Sequence, residues 1–193
     1  MIDFRKIAQL MIAHGMKLPE QGIQISIPQA KELIHSGLIY FSRQENIEWL
    51  PEYEKVVSWL ENNNCRGIFM YGDCGRGKSL LARYVLPSIL LHSCNKVVSV
   101  YDMIEINSRL DEALTKKILA LDDVGVEDVA VRYGERRMAF AELMDSIEKY
   151  EKLAIITTNL SPDELKAKYG DRVMDRIIAT TVRISFKGKS LRT

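Results

Sequence analysis

Apolar residues recur along this chain with helical and strand-like periods, and the alternation between the two lays out an architecture. Phe4, Ile7, Ala8 and Met11 fall at helical spacing after Asp3, a candidate N-cap, and Gly15 is placed to stop that helix. The stretch from Pro19 to Pro28 has loop character. Pro28, Ala30, Leu33 and Ile34 then predict a second short helix, ended by Gly37. A clearer helix starts at Pro51, carries Tyr53, Val56, Val57 and Leu60 on one face, and ends at Asn62-Asn63-Asn64.

From there buried strands alternate with helices. Gly67–Tyr71, Val97–Tyr101, Ile118–Leu121 and Leu153–Thr158 read as strands, and the unbroken apolar run at 118–121 suits a strand covered on both faces. Thr181–Phe186 reads as a last strand. Between them the spacing predicts a helix over Leu80–Val85, which Pro87 should end or kink. It also predicts a helix capped by Asp102 and running through Leu110, with a further short turn near Asp111–Leu114. Val124–Gly134 reads as a loop. Phe140, Leu143, Met144, Ile147 and Tyr150 mark another helix face. Ser161-Pro162-Asp163-Glu164 has the form of a capping box with proline at the first helical position, and Gly170 closes that helix. A new helix starts near Asp171. The expected fold is α/β, a five-stranded, mainly parallel sheet between helices.

Composition narrows this picture. A chain of 193 residues suits one domain with an extension, here a main domain at 51–193 and a short helical N-terminal extension at 1–50. Two readings of the extension stand: its helices pack on the main core, or they dock a partner protein. The formal net charge is +1, so any nucleic-acid contact must come from a local patch. Arg132, Arg136 and Arg137 form one such cluster; a solvated face is the plainer reading. Cys65, Cys74 and Cys94 are odd in number and far apart, which argues against a disulfide framework or a zinc site and fits a reducing cytoplasm. The longest nearly apolar stretch, Tyr84–Leu91, is too short to cross a membrane.

The candidate chemistry centres on Gly72-Asp73-Cys74-Gly75-Arg76-Gly77-Lys78-Ser79, followed by Leu80. It fits G-x-x-x-x-G-K-[ST] between a predicted strand and a predicted helix, the context that a phosphate-binding P-loop requires. Glycines let backbone N–H groups turn toward phosphates, and the helix N-terminus adds partial positive charge. Lys78 would reach the β- and γ-phosphates of ATP, and the Ser79 hydroxyl would sit on Mg²⁺. Asp122 and Asp123 end the strand at 118–121, where ligands bind in open α/β sheets. The pair resembles a Walker B motif: Asp122 would hold Mg²⁺ opposite Ser79, and Asp123 would polarise the attacking water. Asn159 ends another strand, where its amide can orient water or contact the γ-phosphate. Arg172 and Arg176, four apart, share a helix face with acids nearby, so intrahelical ion pairs are their plain reading.

The P-loop, Leu119–Gly125, Thr157–Leu160 and Tyr169–Ile177 occur in one order, and together they resemble the AAA+ ATPases of the bacterial replicative helicase loader type (DnaC/DnaI-like), with the IstB-type transposition helpers close behind. The resemblance covers about residues 50–192; Gly-Asp-Arg-Val-Met-Asp-Arg at 170–176 and the closing Phe-Lys-Gly-Lys-Ser-Leu-Arg are its most specific parts. It implies an ASCE-type P-loop NTPase without a C-terminal lid domain, with ATP and Mg²⁺ as cofactors. It also implies ATP-dependent self-association, and a replicative helicase and single-stranded DNA as partners. By the same resemblance Asn159 is the sensor-1 residue, Arg172 an arginine finger offered to a neighbour's ATP, and Arg176 its reserve, with Arg183 or Arg192 at the sensor-2 position. Asp123 stands where many such ATPases carry glutamate. Two other classes compete: a small-molecule P-loop kinase, which would need an acceptor, and a non-enzymatic adaptor that binds ATP and barely hydrolyses it.

Overall fold

In the computed structural model, residues 2–16, 18, 21–128, 130–132 and 135–191 are described. Five strands form one sheet: β1 (Gly67–Gly72), β2 (Ser99–Asp102), β3 (Ile118–Val124), β6 (Leu153–Thr158) and β7 (Thr181–Phe186). Their order is β2-β3-β6-β1-β7, and all four pairings are parallel. Parallel neighbours need crossover connections, and the helices supply them. β1, β3 and β6 are interior strands buried on both faces, which is why they read as near-continuous apolar runs.

The pleat divides their side chains between two cores. Ile68, Met70, Ala120, Ile155 and Ile184 point to one face, where they meet α2 (Ala30–Ser42), α3 (Pro51–Glu61) and α5 (Leu86–Cys94). Phe69, Leu119, Leu121, Ala154 and Ile156 point to the other, against α6 (Ile106–Ala113), α7 (Ala139–Lys149), α8 (Pro162–Tyr169) and α9 (Asp171–Thr180). The first core crosses the boundary expected at residue 50. Ile25, Ile27, Ala30, Ile34 and Leu38 are all at most 3 % exposed within it. By contrast α1 (Phe4–Ala13) has no buried residue, although Asp3 caps it as expected by accepting the Arg5 N–H.

Three local expectations are corrected. α2 does not stop at Gly37 but runs to Ser42; a Cβ at Gly37 would lie 2.9 Å from Val85 Cγ1, so this glycine marks a close helix approach rather than a helix end. Of the two outcomes expected at Pro87, an end or a kink, the end does not occur. After α4 (Lys78–Leu80) the chain widens into a π turn (Leu81–Val85), in which the Leu86 N–H reaches Leu81 O, and α5 continues through the proline. The wide turn changes which carbonyls lie beneath a ring that has no N–H to donate. The expected loop 124–134 contains a strand, β4 (Ala130–Arg132), which pairs antiparallel with β5 (Glu135–Arg137) just beyond it. Arg132, Arg136 and Arg137 fall in this hairpin; their side chains, and Arg192 entirely, lie outside the described residues.

Candidate functional site

The strand ends of β1, β3 and β6 open onto a cavity of about 450 Å³. After β1 the chain turns through residues 73–77 into α4. Gly77 takes φ +84°, and a Cβ there would lie 2.7 Å from Tyr53 Oη, so both backbone conformation and space require glycine. Cys74, Gly75, Gly77, Lys78, Ser79 and Leu80 line the cavity. Lys78 is only 5 % exposed. Its ammonium donates to Gly72 O at 2.9 Å, Asp73 O at 2.7 Å and Asn159 Oδ1 at 2.9 Å. Burial pulls the Lys78 pKa below its usual range, and electrostatic interactions with the residues around it, the carboxylates of Asp123, Asp73 and Asp122 among them, partly offset that pull.

The two acids at the end of β3 are consecutive, so an ideal strand would send them to opposite faces. Here the register shifts between Leu121 and Val124, and Asp123 takes φ +64°, a left-handed conformation that costs a non-glycine residue energy. Thr157 holds both acids: its hydroxyl donates to Asp122 Oδ1 at 2.6 Å and accepts the Asp123 N–H at 2.9 Å. The Asn159 amide donates to Asp123 Oδ1 at 2.7 Å. Lys78, Asn159 and Asp123 thus form one hydrogen-bonded chain from P-loop to β3. Asp122 is 3 % exposed. Its second oxygen accepts from Arg83 Nη1 at 3.2 Å, and the same nitrogen donates to Asp102 Oδ2 at 2.9 Å.

The P-loop is also tied from behind. Residues 187–191, part of the closing Phe-Lys-Gly-Lys-Ser-Leu-Arg, cross back over it. Asp73 N–H donates to Phe186 O, Gly188 N–H to Asp73 Oδ2 and Leu191 N–H to Gly75 O, at 2.8, 2.7 and 2.9 Å. The Arg76 side chain is turned away from the cavity: Nη2 pairs with Glu52 at 3.1 Å and Nη1 donates to Lys189 O at 3.0 Å. Glu52 Oε1 also accepts the Lys187 N–H at 3.0 Å. Leu38, Ser42, Gln44, Ile47 and Tyr84 add a mixed apolar and polar wall to the cavity.

Arg172 and Arg176 are elsewhere, on the face of α9 that meets α7. Arg172 is largely exposed and reaches Asp145 at 3.1 Å. Arg176 is mostly buried, bound to Asp145 at 2.9 Å and Glu148 at 3.0 Å. Their ion-pair partners come from α7, not from their own helix. Arg183 is exposed on β7, the sheet edge. A separate tie joins the β3 end to the C-terminal turn of α8. Glu127, 6 % exposed, accepts the Gly125 N–H at 2.8 Å and the Tyr169 hydroxyl, and Lys168 Nζ donates to Gly125 O at 2.5 Å. Burial, with the Glu127 carboxylate beside it, raises the Tyr169 pKa strongly.

Sequence reasoning missed Arg83, Asp102, Glu52 and Thr157. Glu52 and Asp102 carried signals as charged residues beside a helix start and a strand end, and Thr157 opens the motif at 157–160; Arg83 had none that singled it out.

An all-parallel β2-β3-β6-β1-β7 sheet, with a glycine-rich G-x-x-x-x-G-K-S loop following β1 and two acids near the end of β3, defines a P-loop fold of the AAA+ type. No protein-family model and no curated protein matches the sequence. Solved structures do match. The DnaC helicase loader aligns over 74 % of this chain and 94 % of its own, at 18 % identity and a TM-score of 0.59. AMPPCP-bound DnaA from Aquifex aeolicus aligns over 76 % of this chain at 23 % identity and a TM-score of 0.50. A DNA replication initiation factor aligns over 74 % at 23 % identity and 0.52. This chain spans 50 % and 49 % of the latter two. At these identities the likeness is one of fold.

Proposed function

We propose that this chain binds and hydrolyses ATP, and that it uses the cycle to load or remodel a replicative DNA helicase on single-stranded DNA. The observation that carries the ATPase reading is the hydrogen-bonded chain Lys78–Asn159–Asp123 across a cavity that Ser79 also lines. A lysine, a water-orienting amide and a carboxylate converge on one space, as hydrolysis of a phosphoanhydride requires.

Each residue has a part. Lys78 leaves the carbonyls of Gly72 and Asp73 for phosphate oxygens. Asp123 accepts a proton from, or polarises, the attacking water, and Asn159 orients it. Ser79 and Asp122 present hydroxyl and carboxylate oxygens, hard donors that suit Mg²⁺, which would neutralise phosphate charge there. Arg172 is exposed and, among the described residues, held by a surface ion pair to Asp145, so it can turn toward a neighbouring subunit; Arg176, mostly buried against Asp145 and Glu148, is held in place. That difference favours Arg172 as the finger and supports ATP-dependent self-association. Residues 51–193 would form the ATPase domain together with α2. α1, with every residue at least partly exposed, is the part of the N-terminal extension left for partner docking.

The helicase assignment rests on the motif order and on fold likeness to a helicase loader and to replication initiators. Native mass analysis of the chain mixed with its host's replicative helicase tests it. A complex with the helicase hexamer that depends on ATP–Mg²⁺ rather than ADP is expected. Absence of a complex in both states would overturn the loader reading and move the assignment to a transposition helper.

A further inference from the structure

Arg83 has no place in the proposed function, yet its guanidinium lies between two carboxylates at the metal end of the cavity. Arg83 lines the cavity with Ser79, one helical turn earlier, while Asp122 lies behind it. Oδ1 of Asp122 is taken by Thr157 at 2.6 Å, and Oδ2 receives Arg83 Nη1 at 3.2 Å. The guanidinium therefore covers the oxygen that a hydrated cation would approach. Arg83 has a second anchor, Asp102 Oδ2 at 2.9 Å, at the end of the adjacent strand β2, and that contact is the shorter.

We infer that Arg83 is a positioning residue that competes with the divalent cation for Asp122, and that Asp102 sets the strength of that competition. The inference rests on the nucleotide-binding reading and deepens it. When a cation arrives with a nucleotide, Arg83 gives up Asp122 and stays on Asp102. One guanidinium between two carboxylates makes this exchange possible without stranding either charge. Removing Arg83 leaves two carboxylates facing one space and strengthens cation binding. Removing the Asp102 charge leaves Arg83 with Asp122 alone and weakens it.

The test is Mn²⁺ binding to the ADP complex, followed by loss of the free Mn²⁺ paramagnetic signal, for the wild type, Arg83→Gln and Asp102→Asn. Arg83→Gln is expected to bind Mn²⁺ about three- to tenfold more tightly, and Asp102→Asn about three- to tenfold more weakly, the range of a charge-assisted hydrogen bond at a partly exposed site. Opposite signs are the signature, since general damage to the site would weaken both. Weakening by both variants, or no change in either, would overturn the inference. ADP binding in excess chelator, which needs the P-loop but no cation, is measured alongside. If the wild type fails to bind ADP there, the nucleotide reading fails and this inference fails with it. If ADP binds and the Mn²⁺ affinities do not split, only the role of Arg83 fails.

Discussion

The Lys78 ammonium lies 2.9 Å from Asn159 Oδ1, so the P-loop and the end of β6 are joined directly across the cavity floor. A phosphate that takes Lys78 must loosen this contact, and Asn159 also holds Asp123 at 2.7 Å. Binding and hydrolysis should therefore separate by mutation. Lys78→Ala is expected to weaken ATP binding by at least tenfold. Asp123→Ala should leave binding within about threefold and lower single-turnover hydrolysis by about 10²–10⁴. Equal losses of binding in both variants would contradict the assignment.

The buried lysine gives the site a pH signature. Burial holds the Lys78 pKa below its ordinary 10.5. The cationic form attracts phosphate, so affinity should be flat near neutrality and fall as pH rises through this depressed value. Phosphate favours the charged form, so binding in that range should take up protons. Fluorescent ADP titrations from pH 7 to 10 measure the fall. Lys78→Arg, which does not titrate there, should show a flatter profile; an equally steep fall in that variant would assign the effect to another group.

Glu52 and Arg76 make an ion pair whose side chains are 10 % and 8 % exposed. Glu52→Gln would leave the guanidinium buried without its counter-charge and loosen the segment 187–191. The expected loss is about 3 kcal/mol, or ~6–12 °C in Tm. Burial raises the Glu52 pKa, but the Lys187 N–H, its own N–H and Arg76 outweigh it, and the net value lies below the ordinary 4.5. A depressed carboxylate stabilises the fold above its unfolded pKa, and that stabilisation is lost as pH falls through the folded value. The gap between wild type and variant should be full at pH 7 and narrow below pH 4.5. Thermal melts across that range check it, and a gap that widens in acid would contradict it.

Arg172 is predicted to act on a neighbouring subunit. Arg172→Ala should bind ATP like the wild type and lose assembly-dependent hydrolysis, by about 10³ if the finger resembles those of other NTPases. Mixing Arg172→Ala with Lys78→Ala protein permits one intact composite site per pair of chains. Recovery of turnover in the mixture supports action in trans; no recovery, under conditions where the wild type assembles, argues against it.

Much of this was legible in the sequence because it is local. The P-loop, the acids ending β3, the capping box at Ser161 and the turn at Gly170 each declare themselves within a few residues. The rest depends on distant partners. Gly37 looks like a helix stop until Val85 is seen against it, and Pro87 looks like a break until the π turn before it is seen. Arg76 lies in the P-loop motif, but nothing local announces that its side chain is held by Glu52, 24 residues away, and Lys189, 113 residues away. The Arg83 bridge has the same character: its two carboxylates end neighbouring strands, and only the pairing of β2 with β3 brings them together.

Equilibrium binding of a fluorescent ATP analogue with Mg²⁺, to the wild type and to Lys78→Ala, tests the central claim most directly. Saturable binding of one nucleotide per chain, lost or at least tenfold weaker in the variant, is the predicted result. No saturable binding by the wild type, or equal binding by both proteins, would contradict the account.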